Sequence, residues 1–232
     1  MTALLAATGL ARSFGPTQAL RDASIYIGTG EIVAIMGPSG SGKSTLLHCI
    51  AGILLPDTGS VLYAGNDVTR MSDGERSALR RREFGFVFQF GQLVPELSCI
   101  ENVTLPLQLS GMTKKEARAL AYRQLEALQV ADLADKRPSE VSGGQGQRVA
   151  LARALAPRPK IIFADEPTGA LDSLSGELVM NLLTETTRES DTAIVLVTHE
   201  PRISAYADRE VVVRDGRSLD PTGTAGSSRG RP

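Results

Sequence analysis

The segment 37–45 reads GPSGSGKST and has the residue types that bind phosphate. Its glycines let the backbone curl so that successive N–H groups point toward an anion, and a helix starting here adds about half a positive charge. Lys43 can reach the β- and γ-phosphates of a nucleotide, while the Ser44 hydroxyl can bind Mg²⁺. The alternative is a plain Gly/Ser turn, but the apolar run before the loop and the helical pattern after it favour ATP or GTP binding. The predicted nucleotide-binding residues of the loop are Gly37, Pro38, Ser39, Gly40, Ser41, Gly42, Lys43, Ser44 and Thr45.

Two adjacent acids follow the apolar run IIFA in the segment KIIFADEPTGALD (160–172). In a parallel α/β sheet, the carboxyl ends of the strands line the ligand crevice beside the phosphate loop. Asp165 would help to hold Mg²⁺ there, commonly through water, and Glu166 would orient or deprotonate an attacking water. Both acids can face one crevice only if the chain turns after Asp165, and Pro167 is consistent with such a turn. The alternative is an N-cap acid followed by a solvated glutamate; the phosphate loop favours the catalytic interpretation.

Two further polar residues end apolar strand patterns. His199 follows AIVLVT and could hydrogen-bond a γ-phosphate or stabilise charge there. Gln89 ends GFVFQ and could touch Mg²⁺ and the attacking water. The alternatives are a structural histidine, which is how we interpret His48 inside its apolar helix, and a loop amide at a sheet edge.

A second glycine-rich helix start appears in VSGGQGQRVALARAL (141–155). Ser142 is a good N-cap, and Gly143 and Gly144 would expose N–H groups at the positive end of the helix, which predicts a second anion site. The alternative is a Gly-containing entry to an amphipathic helix. One ATP in one copy cannot easily use both glycine-rich sites. A supplied arginine that closes on the γ-phosphate accelerates phosphoryl transfer by about 10³–10⁵-fold. The positive start of a helix from another copy could act in the same way. The sequence thus predicts a head-to-tail dimer with two ATPs between phosphate loop and SGGQ.

Hydrophobic patterning predicts an α/β protein with a helical insertion. Ser72 with Glu75 and Thr113 with Glu116 are predicted capping boxes. The helix after Thr113 should bury one face, made of Ala117, Leu120, Ala121, Leu125 and Leu128. The predicted strands are 24–28, 31–37, 60–65, 85–89, 160–165, 193–197 and 210–216, and the predicted helices include 43–54, 72–82 and 173–188. Residues 95–145 contain no good strand candidate, and the Gly-, Ser- and Pro-rich end of the chain is expected to be disordered.

The composition of the chain excludes several classes of function. The chain has 232 residues, a net charge of −1 and two cysteines, Cys49 and Cys99. It therefore has no global basic field for nucleic acid and no disulfide framework. Its longest apolar stretch, residues 46–55, is too short to span a bilayer, and the first residues lack the pattern of a signal peptide. We expect any work at a membrane to depend on docking to a partner that spans it.

The motifs, taken in order, resemble those of ABC-transporter ATPase subunits. They are GPSGSGKST, Gln89, VSGGQGQR, IIFADE, ALD and His199, and the likeness extends over roughly residues 3–218. The resemblance implies a P-loop NTPase fold with an N-terminal antiparallel β region, a RecA-like core and an inserted α-helical subdomain at about 92–158. It implies one domain over 1–218, with a tail over 219–232.

The resemblance also implies roles for single residues. Ser142, Gly143, Gly144 and Gln145 would contact the γ-phosphate of ATP bound by the partner copy. Asp172 would lie in a loop that crosses the dimer interface. Phe14 would stack on adenine, although it could instead belong to the core. The implied catalytic residues are Lys43, Gln89, Glu166 and His199, and the implied Mg²⁺ residues are Ser44, Gln89 and Asp165.

Longer segments resemble the subgroup of macrolide exporters, lipoprotein-release ATPases and antimicrobial-peptide resistance transporters (the MacB, LolD and BceA group). That likeness implies an FtsX-type permease partner, a place on the inner face of the cell membrane, and an output of export, extrusion or mechanotransmission. The alternatives are a soluble ABC scaffold of the iron–sulfur assembly type and the ATPase of a solute importer. Val141 and Gly146 depart from the usual signature: Val141 stays apolar, and Gly146 costs up to about 1 kcal/mol of helix propensity.

Overall fold

The computed structural model describes residues 3–89, 91–188 and 190–219. Its strands are β1 (Leu5–Phe14), β2 (Thr17–Ile27), β3 (Ile32–Met36), β4 (Thr58–Tyr63), β5 (Asn66–Asp67), β6 (Phe84–Phe88), β7 (Ile161–Asp165), β8 (Ala193–Val197), β9 (Arg209–Arg214) and β10 (Arg217–Leu219). Its helices are α1 (Lys43–Ile50), α2 (Asp73–Glu83), α3 (Cys99–Leu109), α4 (Lys114–Ala127), α5 (Gly143–Leu155), α6 (Ser173–Arg188) and α7 (Pro201–Ser204). Single 3₁₀ turns occupy Val68–Arg70, Ala131–Leu133 and Pro138–Glu140.

The described strands form one mixed sheet in the order β5-β4-β1-β2-β10-β9-β3-β8-β7-β6. Strands β9, β3, β8, β7 and β6 run parallel to one another, whereas β1, β2, β4 and β5 pair antiparallel among themselves. Short strand β10 joins the two regions, because it pairs antiparallel with β9 and parallel with β2. The predicted antiparallel N-terminal region and parallel core are therefore both present.

Strands β3, β7 and β8 are buried on both faces, which explains their continuous apolar runs. Along β8, Ile194 and Leu196 face the core formed with α3–α6, whereas Val195 and Val197 face the core shared with α1 and β1–β2. The sheet thus separates two hydrophobic cores. Its carboxyl edge, where β3, β7 and β8 end, is held in place from both sides.

The helical insertion lies between β6 and β7. Helices α3 and α4 pack on each other and on α5, and α4 begins with the predicted Thr113–Glu116 capping box. The predicted face of α4 is confirmed, because Ala117, Ala121, Leu125 and Leu128 are buried and Leu120 packs against them. No strand lies between 91 and 160 in the part of the chain that the structure describes.

Several predicted boundaries were wrong for identifiable reasons. The helix predicted over 43–54 ends at Ile50, because the chain turns there and Gly52 takes a φ of 63°. The strand predicted over 210–216 ends at Arg214, where Asp215 and Gly216 form a left-handed turn into β10. Strand β1 was not predicted; its alternation is interrupted by register shifts against both neighbours. The other predicted strands and helices agree within a few residues, except that 24–28 is only the end of the longer β2.

The remaining expectations concern the membrane and the end of the chain. No helix of the described residues is long and apolar enough to cross a membrane. The tail predicted over 219–232 begins with Leu219, which belongs to β10, and residues 220–232 lie outside the described residues.

Candidate active site

The phosphate loop lies between β3 and α1 at the carboxyl edge of the sheet. At Gly37 (φ 147°) an added Cβ would lie 2.1 Å from the Val213 carbonyl oxygen, and at Gly42 (φ 105°) it would lie 2.4 Å from that of Ala19. No other residue fits these positions. Helix α1 starts without a side-chain cap and without an acid in its first turn, so its N–H groups are available to an anion.

Lys43 is folded back over this loop. Its Nζ donates to the carbonyl oxygens of Gly37 at 3.0 Å and Pro38 at 2.9 Å, and the residue is buried. An ammonium group has three donors, so one remains for a phosphate oxygen. The Ser41 hydroxyl is also buried and has no protein partner. Both observations fit a loop that is completed by a bound phosphate.

Ser44 and Asp165 meet across the sheet edge. The Ser44 hydroxyl donates to Asp165 Oδ1 at 3.3 Å. Burial raises the pKa of Asp165 above its usual range, and the Ser44 hydrogen bond and the nearby His48 oppose the rise. Hydroxyl, carboxylate and amide oxygens are the donors that Mg²⁺ prefers. Among the described residues no group of three or more His, Cys, Asp and Glu side chains could hold a metal.

Glu166 reaches the same edge through a left-handed turn. Strand β7 ends at Asp165, and Glu166 has a φ of 45° while its N–H donates to the Val197 carbonyl at 2.9 Å. The turn inferred from Pro167 is present, and it lets both acids line one cavity. Glu166 Oε1 lies 3.0 Å from Nδ1 of His199, which follows β8. The imidazole therefore holds the carboxylate in one orientation.

Gln89 approaches these groups from the end of β6. A Cβ at Gly169 would lie 2.9 Å from Gln89 Nε2 and 3.3 Å from Glu166 Oε2, so the amide and the carboxylate flank the same glycine. The cavity, which we name the catalytic cavity, has a volume of about 600 Å³. It is lined by Ser44, His48, Ile53, Phe88, Gln89, Gln92, Asp165 and Glu166. Three strands and one helix thus bring together five of the predicted residues, Ser44, Gln89, Asp165, Glu166 and His199.

Two polar residues of this lining were not predicted. His48 was interpreted as structural, yet it is only partly buried and lines the cavity one turn after Ser44. The i, i+4 spacing could have revealed it, since such residues share a helix face. Gln92 lies in the loop after β6, and no sequence pattern connects it to the cavity.

The signature segment, residues 142–145, lies elsewhere in the same chain. Ser142 caps α5, accepting from the N–H of Gln145 at 3.3 Å, while Gln145 Oε1 accepts from the N–H of Ser142 at 2.9 Å. Neither Gly143 nor Gly144 lines the catalytic cavity; a Cβ at Gly144 would instead lie 3.2 Å from Ser175. The first turn of α5 has no acid, so its positive end is uncompensated.

Asp172 lies beside this segment and before α6. It accepts from the N–H and the hydroxyl of Ser175 at 3.0 and 2.8 Å, and these hydrogen bonds hold the pKa of Asp172 below its usual range. The carboxylate is exposed and acts as a helix cap. The structure therefore groups Asp172 with the signature segment.

Phe14 is not a core residue, because 49% of it is exposed at the end of β1. The Arg12 guanidinium carbon lies 5.2 Å from its ring centroid, and Arg12 Nη1 donates to Asp57 Oδ1 at 2.6 Å. The N–H of Ser13 and then Arg12 hold the pKa of Asp57 below its usual range. One face of the ring is thus backed by a fixed cation.

A parallel sheet with a glycine-rich loop between β3 and α1, and with carboxylates at the end of β7, defines a phosphate-loop nucleotide-binding protein. Comparison with known families narrows this class. The ABC transporter family matches residues 20–169. The chain belongs to the ABC transporter family and is an ATP-binding subunit that hydrolyses ATP in transport.

Similar proteins and structures agree with that assignment. The lipoprotein-releasing system ATP-binding protein LolD of Hyphomonas neptunium is 39% identical over 224 residues, which are 95% of this chain and 98% of that protein. LolD of Bordetella pertussis is 46% identical over 200 residues, 86% of this chain and 87% of that protein. The dimeric structure of MJ0796, a bacterial ABC transporter cassette, superposes with a TM-score of 0.87 at 37% identity, covering 94% and 99% of the two chains. A post-hydrolysis MJ0796 dimer bound to ADP and Pi gives a TM-score of 0.86. The predicted fold and the resemblance to the LolD subgroup are confirmed.

Proposed function

We propose that two copies of this chain pair head to tail and drive a lipoprotein-releasing type of transporter from the inner face of the cell membrane, docked on an FtsX-type permease. The observation that carries the dimer is the position of Ser142–Gly144: the positive start of α5 is exposed and lies outside the chain's own catalytic cavity. A second copy would supply it. The LolD relatives support the type of transporter. The ATPase domain is proposed to span residues 1–218, with the helical insertion at about 92–158 and a tail over 219–232.

The nucleotide would lie along the phosphate loop. Residues 37–45 would hold the phosphates through main-chain N–H groups and the free donor of Lys43. Adenine would stack on the exposed ring of Phe14. Ser44, Gln89 and, through water, Asp165 would hold Mg²⁺, which when bound neutralises charge on the β- and γ-phosphates.

Glu166 would accept the proton of the attacking water. Its carboxylate is oriented by His199 at 3.0 Å, and the neighbouring Gln89 amide can hold the same water. When the imidazole is protonated, it can donate from Nδ1 to Glu166 and from Nε2 to a γ-phosphate oxygen. Ser142, Gly143, Gly144 and Gln145 of the partner copy would stabilise the developing charge with their N–H groups and the helix dipole. Asp172 would lie at the interface beside them.

The permease would dock in a second cleft. This partner cleft, of about 410 Å³, lies between β6 and the helical insertion. Its lining is largely apolar and includes Ile53 and Leu109, which are partly exposed, and it also contains Arg80, Arg81 and Arg153. An amphipathic cytoplasmic segment of a permease with an acidic residue fits this combination.

The composite site can be tested by mixing two inactive variants. Lys43→Ala disables the phosphate loop, and Ser142→Arg disables the signature. In a mixed dimer, one site combines both defects and the other is intact. An equal mixture should therefore recover about a quarter of the wild-type ATPase rate, since about half of the dimers are mixed and each has one intact site of two. If the mixture is no more active than either variant alone, the composite site is wrong.

The docking cleft has its own test. Leu109→Asp should prevent assembly with an FtsX-type permease in proteoliposomes while the isolated subunit keeps its ATPase rate. Leu62→Asp, which charges an exposed leucine on β4, is the matched control and should assemble normally. Normal assembly of the Leu109 variant would exclude this cleft as the docking surface.

A further inference from the structure

The loop after β6 forms the wall between the catalytic cavity and the partner cleft. Ile53, Phe88 and Gln92 line both spaces. Gln92 has a φ of 43°, a left-handed conformation that is unfavourable for a residue with a side chain, and it follows Gly91 at 67°. A loop with this conformation keeps its shape only if its surroundings hold it.

Two side chains of α5 hold this loop by its main chain. Gln147 Nε2 donates to the Phe88 carbonyl at 3.0 Å. Arg153 donates from Nη2 to the Gly91 carbonyl at 2.8 Å and from Nη1 to the Gln92 carbonyl at 2.9 Å. The residues bonded in this way flank Gln89 on both sides. The main chain that carries the Gln89 amide is therefore attached at three points to the helix that carries the signature.

The cost of this arrangement argues for a role beyond packing. Gln147 is only 2% exposed, and burial lowers the pKa of Arg153. The Arg153 guanidinium donates these two hydrogen bonds to carbonyls of the loop and not to a carboxylate. The Arg153 side chain is only partly buried, since it also lines the partner cleft, and withdrawing part of a cation from water costs free energy. An apolar side chain could pack against the loop at lower cost, but it could not fix the carbonyls.

Gly91 itself also lies close to helix α5. A Cβ at Gly91 would lie 3.4 Å from both the Gly146 carbonyl oxygen and Ala150 Cβ, and 3.3 Å from Gln147 Oε1. The loop therefore packs directly against α5 at Gly91.

We propose that Arg153 and Gln147 are positioning residues of the ATPase reaction. They set the place of Gln89 in the catalytic cavity by holding Phe88, Gly91 and Gln92, and they make Gln89 and the signature helix move together. This inference rests on the proposed role of Gln89, which holds Mg²⁺ and the attacking water. It predicts that Arg153 acts on turnover through Gln89, without touching the nucleotide.

Helix α5 also contains a matched control. Arg148 Nη1 donates to the carbonyls of Leu128 and Gln129 at 3.3 and 3.0 Å, at the end of α4. It makes the same type of contact as Arg153 from the same helix, but away from both cavities. Arg148→Ala should lower the melting temperature as Arg153→Ala does, yet leave kcat and KM for ATP within about twofold of wild type.

The test is a double-mutant cycle between Arg153 and Gln89. Arg153→Ala should lower kcat by about 10- to 100-fold, the scale of a misplacement near 1 Å, while KM for ATP changes less than about twofold. Arg153→Lys, which can reach one carbonyl, should recover part of the rate. Adding Arg153→Ala to Gln89→Ala should cause little further loss, because both changes remove the same positioned amide.

Four results would overturn the proposal. Independent, multiplying losses in the double variant would show that Arg153 does not act through Gln89. An equal loss of kcat in the Arg148 and Arg153 variants would show that the contact between Arg153 and the loop contributes only to the stability of the fold. An unimpaired Gln89→Ala variant would refute the Gln89 role and this inference together, whereas an impaired Gln89→Ala with an unimpaired Arg153→Ala refutes this inference alone. If Arg153→Ala does not fold, Gln147→Met, which removes only the Phe88 contact, enters the same cycle with the same expected pattern.

Discussion

Glu166→Gln is the perturbation that the catalytic geometry predicts most sharply. The amide has the shape of the carboxylate and keeps an oxygen for the contact with His199 Nδ1 at 3.0 Å, so folding and ATP binding should persist. What is lost is the ability to take a proton from water. General bases contribute about 10²–10⁴-fold, so the barrier should rise by about 3–5 kcal/mol.

The assay measures phosphate release at saturating ATP and Mg²⁺, together with light scattering with and without ATP. The variant should bind ATP, release phosphate at least about 100-fold more slowly, and accumulate as an ATP-dependent dimer. Glu177→Gln makes the same chemical change at an exposed position on α6 and should behave as wild type. Hydrolysis by the Glu166 variant within about twofold of the wild-type rate would refute its role as base. A failure to bind ATP would refute the claim that the substitution leaves the site intact.

Three further outcomes concern stability and reactivity. Gly146→Ala should add about 0.5–1 kcal/mol to the free energy of unfolding, because glycine destabilises a helix relative to alanine and the added Cβ would meet only Val141 Cγ2, at 3.8 Å. The guanidinium concentration at the midpoint of unfolding should therefore rise, and a lower midpoint would contradict this. Asp165→Asn should raise the melting temperature of nucleotide-free protein at pH 7, since burial raises the pKa of Asp165 and makes its charged form costly in the fold. Its advantage should shrink as the pH falls through the folded pKa and vanish near the ordinary value of 3.8, because the wild-type carboxyl is then protonated; a gain independent of pH would exclude this cause. Cys49 and Cys99 should react with a thiol reagent at pH 8 only after unfolding, because both are buried and burial raises the pKa of Cys49 to about 12; rapid labelling of native protein would show otherwise.

The features that sequence determined by itself are local. The phosphate loop depends on glycines at positions 37 and 42 and on the helix that follows at once. Capping boxes at Ser72 and Thr113 each join residues three apart, so their spacing was enough to predict them, whereas Ser142 was predicted only as an N-cap. The order of the motifs along the chain was enough to identify the ATPase family.

Other features were decided only by tertiary structure, because they join residues far apart in the chain. Strand β1 is irregular because its register shifts against both β2 and β4. Its sequence therefore lacks the regular alternation of apolar and polar residues that would predict a strand. Gln92 and His48 enter the catalytic cavity because β6 and α1 meet β7 at one edge of the sheet. Arg153 reaches Gly91 and Gln92 across more than sixty residues of chain, a separation of 62 and 61 positions.

The two glycine-rich helix starts show both kinds of feature, the local ones that the sequence determines and the ones that only the tertiary structure decides. Composition and capping determined that each could bind an anion, since the exposed N–H groups and the helix dipole are local properties. Whether they share one site depended on where the sheet and the helical insertion placed them. The fold puts α1 at the catalytic cavity and directs the start of α5 away from it, because α5 packs against α3, α4 and β6.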